Sequence, residues 1–288
     1  MDKPVLLTGA DGVIGRYLAQ SLADRGMAVV ALSRHDAPPP HPRIQWIPIT
    51  EERDFTPFFV RHDIGALIHA AARSPGPDAT AERLVADNID LTRDLLTAAR
   101  QADLSHVLFL SAVSAYGTVN AARLDETTPV VDPDLYGLSK LVGEHLLVAS
   151  GVPGLILRLP AVVGPHAHRN WVARAKASIQ AGHPLTIYNP NAPFNNIVHM
   201  ADLAAFLVKV LSRPLRGVDR LVLGADGYTS VLQAVETLMS TLRRSAPVQT
   251  AQNGRRSYLI DCRRAMTQYD YRPMEVTAML RRFATDPD

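Results

Sequence analysis

Pro4–Gln20 reads PVLLTGADGVIGRYLAQ: an apolar run of strand type, a loop carrying Gly9, Gly12 and Gly15, and the start of a helical pattern that continues to Arg25. Glycines in this context meet three needs: a tight turn, close approach of backbone to a pyrophosphate, and a helix packed closely on its strand. The helix opening at Val13 and Ile14 turns free N–H groups and a positive dipole end toward the same point. A strand, turn and helix of this kind predict a dinucleotide site built from Gly9, Gly12, Val13, Ile14 and Gly15.

Working outward, short apolar runs alternate with helical patterns: AVVALS at 28–33, ALIHAAA at 66–72 before a helix over 81–102, HVLFLS at 106–111, and LYGLSKLVGEHLLVAS at 135–150 before GLILRLP at 154–160. The runs are continuous rather than alternating, as strands buried on both faces require. The expected fold is α/β: a Rossmann-type doubly wound parallel sheet over 1–164 and a smaller substrate domain over 165–288. Residues 197–224 hold a further helix and strand that would return to the main sheet.

Composition narrows the class. The 288 residues are 47% hydrophobic and 20% charged with a formal net charge of +2, which argues for a globular protein and against nucleic-acid binding through overall charge. The lone cysteine, Cys262, rules out an intrachain disulfide and a Cys-based zinc site. His166 and His168 are spaced HxH, without the further ligand a metal would need. The beginning MDKPVLLTG is not of signal-peptide type, and no apolar run reaches the ~20 residues of a spanning helix. A soluble cytoplasmic protein is expected.

The choice of dinucleotide is made where the second strand ends. An acid there would bond the ribose hydroxyls of NAD, whereas this strand ends in Ser33-Arg34. Serine repels no charge and arginine can clamp a 2′-phosphate, so NADP is expected over NAD. The alternative has Arg34 facing water and Asp36 taking the ribose.

Within LYGLSK, Tyr136 and Lys140 are four residues apart on a helical pattern, hence on one face. A phenol of pKa near ~10 is a poor base at neutral pH, and a nearby ammonium with an oxidised nicotinamide favours the phenolate. Lys140 can also bond the nicotinamide ribose. Upstream, FLSAVSAYG at 109–117 offers two serines. Side-chain alternation puts Ser114 on the face presented by residue 112, and Ser111 on the other, if the strand continues that far.

Together TGADGVIG, LIHAAA, Asn88 in ADNIDLTRDLL, FLSAVSAYG, YGLSK, LRLPAVVGP and NNIVHMADLA resemble the extended short-chain dehydrogenase/reductases, the NAD(P)-dependent epimerase/dehydratase family, over nearly the whole chain. The resemblance implies that Tyr136 is the acid/base and Lys140 its partner. It also implies that Ala70 and Ala71 let backbone approach the cofactor, that Asn88 lies behind the site, and that the substrate binds between the two domains. It departs at three positions. Ala112 occupies the usual place of the catalytic serine or threonine, with Ser114 the favoured replacement and Ser111, water or a group from another loop the alternatives. Pro48 stands where an acid often meets adenine. Asn195 stands where sugar-nucleotide enzymes often carry an arginine, a role that Arg169 or one of the Arg pairs (243–244, 255–256, 263–264, 281–282) would have to take over.

The expected function is hydride transfer between nicotinamide and a hydroxyl or keto carbon of a sugar or sugar-nucleotide, by net reduction or by epimerisation. Dehydration is disfavoured because Val113-Ser114 replaces the acidic pair of the family's dehydratases. A dinucleotide-binding regulatory or scaffold protein that has lost turnover is the other reading. Homodimerisation through 81–102 and 136–150 is a family-based expectation.

Overall fold

The computed structural model describes residues 3–34, 40–49, 54–252 and 257–288. Asp36 and the pair Arg255-Arg256 lie outside the described residues. The chain forms two compact units, one of Met1–Thr118, Val130–Arg158 and Ala204–Leu221, the other of Val119–Pro129, Leu159–Leu203 and Val222–Asp288.

The first unit is built on strands β1 (Val5–Thr8), β2 (Val29–Ser33), β3 (Ile44–Pro48), β4 (Ala66–His69) and β5 (Val107–Ala112). With Gly154–Leu159 and Val218–Val222 they make, among the described residues, a seven-stranded sheet. Its order from one edge is Val218–Val222, Gly154–Leu159, β5, β4, β1, β2, β3. The pairings from β3 through β5 are parallel. β1, β2 and β4 are buried along their whole length, so both faces of the sheet are covered, and their unbroken apolar sequences follow from that. Strand order reverses between β1 and β4, the switch point at whose carboxyl ends a crevice opens in such sheets.

Helix α1 (Val13–Asp24) follows β1, α2 (Thr56–Arg61) precedes β4, and α3 (Ala81–Leu84) begins the long helical stretch after it. That stretch is not the uniform helix expected over 81–102: Val85–Asp90 widens into a π-type turn before α4 (Leu91–Gln101) resumes the α-spacing. Widened turns of this kind concentrate at functional sites. Helix α5 (Leu135–Ser150) is capped by Asp134, whose carboxylate accepts from the Gly137 N–H at 2.7 Å, and ends at Gly151 with φ +74°. Such a cap contributes about 1 kcal/mol. Gly143 lets α5 lie directly on β5, since a Cβ there would come within 2.6 Å of the Phe109 ring.

In the second unit Ala161–Val163 pairs with Ile197–His199, Leu185–Tyr188 with Val248–Ala251, and Arg123–Leu124 with Leu259–Ile260, all parallel. Its core gathers Val172, Ile179, Ile197, Leu238, Met279 and Phe283.

Candidate functional site

The loop after β1 is shaped by its glycines. Gly9 has φ +69°, and a Cβ on it would lie 2.7 Å from the Ala71 backbone at the end of β4. Gly12 is the residue before α1 and supplies no side chain to cap it. A Cβ on Gly15 would run into the Gly9 carbonyl, so α1 starts in contact with the turn. The first-turn N–H groups that begin with Val13 and Ile14 have no intrahelical acceptors. The bare helix start, the glycine turn and the neighbouring Ala70 and Ala71 are the groups that could hold a pyrophosphate, through unpaired N–H groups and the absence of bulky side chains.

Ser33 is buried at the end of β2, while Arg34 is exposed, its Nε 3.5 Å from the Asp11 carboxylate in the glycine loop. The Asp11 side chain is 8% exposed and that of Arg34 61%.

A buried chain of hydrogen bonds joins β1, β4 and α4. The Ala71 N–H donates to Thr8 Oγ1 at 3.2 Å, and Thr8 Oγ1 lies 2.7 Å from His69 Nδ1. His69 Nε2 lies 2.8 Å from Thr92 Oγ1, which donates to the Asn88 carbonyl at 2.6 Å. Because the Thr92 hydrogen is committed to Asn88, His69 must carry its own on Nε2 and accept from Thr8 on Nδ1. The Asn88 side chain is engaged on every side. Its Oδ1 accepts from the Arg73 N–H at 2.7 Å, and its Nδ2 donates to Ser139 Oγ at 2.9 Å and the Arg73 carbonyl at 3.2 Å. This amide, which the resemblance puts behind the site and among the residues around the cofactor, ties the loop after β4 to α5.

Tyr136 and Lys140 lie one turn apart in the first half of α5. Lys140 is 3% exposed. Its Nζ donates to the Leu110 carbonyl at 2.8 Å and sits 5.0 Å from the Phe109 ring centre. Burial pulls the ammonium down to about 8, opposed by the charge of Glu144. Burial, then the charge of Asp134, push the Tyr136 phenol up to about 12.

The face argument for the serines fails at its premise. β5 ends at Ala112 and Val113–Tyr116 form a 3₁₀ turn, so alternation does not reach Ser114. The turn nevertheless leaves Ser114 Oγ buried without a hydrogen-bond partner. A Cβ on Gly137 would overlap the Ser114 carbonyl, so the start of α5, next to Tyr136, presses on this turn. Ser111 is otherwise engaged, donating to Glu144 Oε1 at 2.6 Å.

In the second unit Asn195 is 4% exposed. Its Nδ2 donates to the Ile260 carbonyl at 2.9 Å while its Oδ1 accepts from the Ile260 N–H at 2.8 Å, so it pins the strand Leu259–Ile260. The neighbouring Asn196 Oδ1 is buried without a partner.

Sequence reasoning missed Glu144 and Arg158, joined by hydrogen bonds of 2.9 and 2.7 Å. Two signals were available: Glu144 continues the four-residue spacing of Tyr136 and Lys140, and Arg158 interrupts an otherwise apolar strand.

A family model described as the NAD dependent epimerase/dehydratase family matches residues 5–224. A UDP-glucose 4-epimerase of Azospirillum brasilense is 26% identical over 278 residues, covering 86% of this chain and 80% of that one. A D-erythronate dehydrogenase of Cupriavidus necator is 30% identical over 214 residues, 66% of this chain and 64% of that one. The crystal structure of a UDP-glucuronic acid 4-epimerase from Bacillus cereus in complex with NAD superposes with a TM-score of 0.82 at 24% identity, covering 98% of this chain and 97% of that one.

Proposed function

Because this chain belongs to the NAD dependent epimerase/dehydratase family, we propose that it is an oxidoreductase or epimerase of nucleotide sugars in which Tyr136 exchanges the proton at a ring hydroxyl. The observation that carries this reading is the arrangement at the start of α5: Tyr136 one turn from a buried Lys140, over a turn whose Ser114 hydroxyl is buried and unbonded. The UDP-sugar class of substrate is supported by the activity of the Azospirillum relative, which aligns over most of this chain.

When bound, a nicotinamide dinucleotide supplies the acceptor and donor of hydride. The residues of the chain hold and move the proton. Tyr136 takes it from the substrate hydroxyl in oxidation and returns it to the ketone oxygen in reduction. A phenol held up at about 12 is an acid in the resting protein, and positive charge beside it is what makes it serviceable as a base. Lys140 brings that charge from one turn away. Ser114 positions the reacting oxygen with a hydrogen bond that needs no other bond to be broken. Incubation with UDP-glucose or UDP-glucuronic acid and either oxidised dinucleotide tests the reading: a C4 epimer, or stoichiometric formation of the reduced dinucleotide with a keto sugar, supports it. Ala112, in the family's usual hydroxyl position, favours a second reading, a dinucleotide-binding regulatory or scaffold protein. Nucleotide binding without turnover of any nucleotide sugar would favour that one.

NADP is the dinucleotide proposed, held through Arg34. The exposed guanidinium beside Asp11 would exchange a carboxylate for the 2′-phosphate. Arg34→Ala is expected to weaken NADPH binding about 10- to 100-fold, the size of a lost hydrogen bond to a charged group, with NADH little changed. Equal affinity of the unaltered protein for both, measured by calorimetry, would rule the assignment out.

The proposed assembly is a homodimer. Leu135, Leu138 and Val148 on α5 and Val85 before α4 are 59%, 45%, 52% and 46% exposed, an apolar set suited to a second copy. Light scattering giving a monomer mass would exclude it. Among the described residues, no helix is long and apolar enough to cross a membrane.

A further inference from the structure

Helix α5 carries a third ionisable side chain at the same spacing, Glu144, one turn beyond Lys140 and two beyond Tyr136. It is 0% exposed. Its Oε1 accepts from Ser111 Oγ at 2.6 Å and Arg158 Nε at 2.9 Å, and its Oε2 from Arg158 Nη2 at 2.7 Å and Arg220 Nε at 3.0 Å. Arg158 is itself 2% exposed and stacks 4.1 Å over the Tyr116 ring. Burying so many charges is unfavourable unless each is paired and bonded, and apolar residues would fill the same space more stably. Packing alone therefore does not account for the cluster.

Its attachment points supply an account. Leu110 and Ser111 are consecutive residues of β5. Lys140 holds the carbonyl of the first and Glu144 the hydroxyl of the second. Two successive turns of α5 thus grip the end of β5 from which the chain turns to Ser114. We propose that Glu144 is the positioning residue of Lys140: clamped by Ser111, Arg158 and Arg220, its carboxylate fixes the register of the ammonium on β5 and supplies its counter-charge from one turn away.

The other groups around Lys140 do not supply a negative charge of that kind. His69, on β4, is neutral, and Tyr136 is a phenol. The Phe109 ring and Leu110 carbonyl of β5 carry no formal charge. On the helical stretch packed against α5, Asp87 is paired with Arg73, and Asp90 and Asp94 with Arg93. Asp134 at the cap acts on Tyr136. Arg158 and Arg220, on the strands Gly154–Leu159 and Val218–Val222, partly offset Glu144 rather than add to it.

The chain has only four lysines, Lys3, Lys140, Lys176 and Lys209, so an NMR titration of the full chain labelled with ε-¹³C-lysine resolves each, with Lys140→Met identifying its signal. No substrate or dinucleotide is needed, so this inference and the nucleotide-sugar reading fail independently. Glu144→Gln is expected to lower the Lys140 midpoint by about one pH unit or more. Arg220→Gln, on the partly exposed side of the cluster, removes an offsetting cation and is expected to raise it by roughly half a unit. The opposed signs separate a charge effect from loosened packing, and Arg220→Gln alone decides if Glu144→Gln does not fold. A midpoint unmoved by either folded variant, or moved the same way by both, overturns the proposal.

Discussion

Tyr136→Phe is expected to lower turnover of a nucleotide-sugar substrate about 10³-fold, within the range spanned by loss of a positioned acid/base, while dinucleotide affinity stays within about threefold. The substitution removes one oxygen from a ring that is otherwise retained on α5, so the helix, its Asp134 cap and the placement of Lys140 stand. Ser114→Ala bears on the same reaction differently. Ser114 Oγ has no partner to lose in the resting protein, so folding should be indifferent to it, and a loss of about 10-fold in turnover would mark a hydrogen bond formed only with substrate. Steady-state kinetics on both variants, with thermal unfolding as control, make the comparison. Full activity in Tyr136→Phe would remove the assigned acid/base and with it the proposed function. Full activity in Ser114→Ala would leave both serines structural, because Ser111 is committed to Glu144.

What could be read from the chain and what could not divide along physical lines. The sheet was legible because strands covered on both faces have unbroken apolar sequences, and β1, β2 and β4 do. The glycine loop was legible because Gly9 and Gly15 occupy places where any Cβ meets backbone, a constraint written directly into residue type. The Tyr136–Lys140 stack needed only helical periodicity. What was not legible depended on partners distant in sequence or on packing. Asn88 is held by Arg73 and Ser139, so its type says it makes hydrogen bonds but not to what. Alternation past Ala112 assumed that a strand continued where the chain enters a 3₁₀ turn, a change set by packing under Gly137 rather than by propensity at Val113 or Ser114. Asn195 could be seen to lack charge but not to be committed to Ile260, 65 residues on.

His69 is the group expected to dominate loss of stability between pH 6.5 and about pH 4. It is 2% exposed, and both ring nitrogens are occupied, Nδ1 by the Thr8 hydroxyl and Nε2 by Thr92. Protonation would put a hydrogen on Nδ1 facing the one Thr8 already directs there, and would place a second cation near Lys140. Burial first, and the Lys140 charge second, hold the imidazole down at about 3 against an ordinary 6.5. The sign follows from proton counts. Below 6.5 the unfolded chain binds a proton that the folded chain refuses, so the unfolded state is favoured increasingly as pH falls, until the folded imidazole also titrates near 3. The span is worth at most about 5 kcal/mol, a large part of the stability of an ordinary domain. His69→Asn should be less stable at pH 7, having lost the bridge between β4 and α4. It should also lose less than the unaltered protein on going to pH 4.5, so that the gap between the two narrows with acid. Denaturant unfolding of both at pH 7, 6, 5 and 4.5 gives the gap directly, and carboxylates common to the two proteins cancel from it. A gap constant across that range would mean that His69 takes up its proton at the same pH in the folded protein as in the unfolded chain, and the Thr8–His69–Thr92 chain would then have to accommodate both nitrogens as donors in acid.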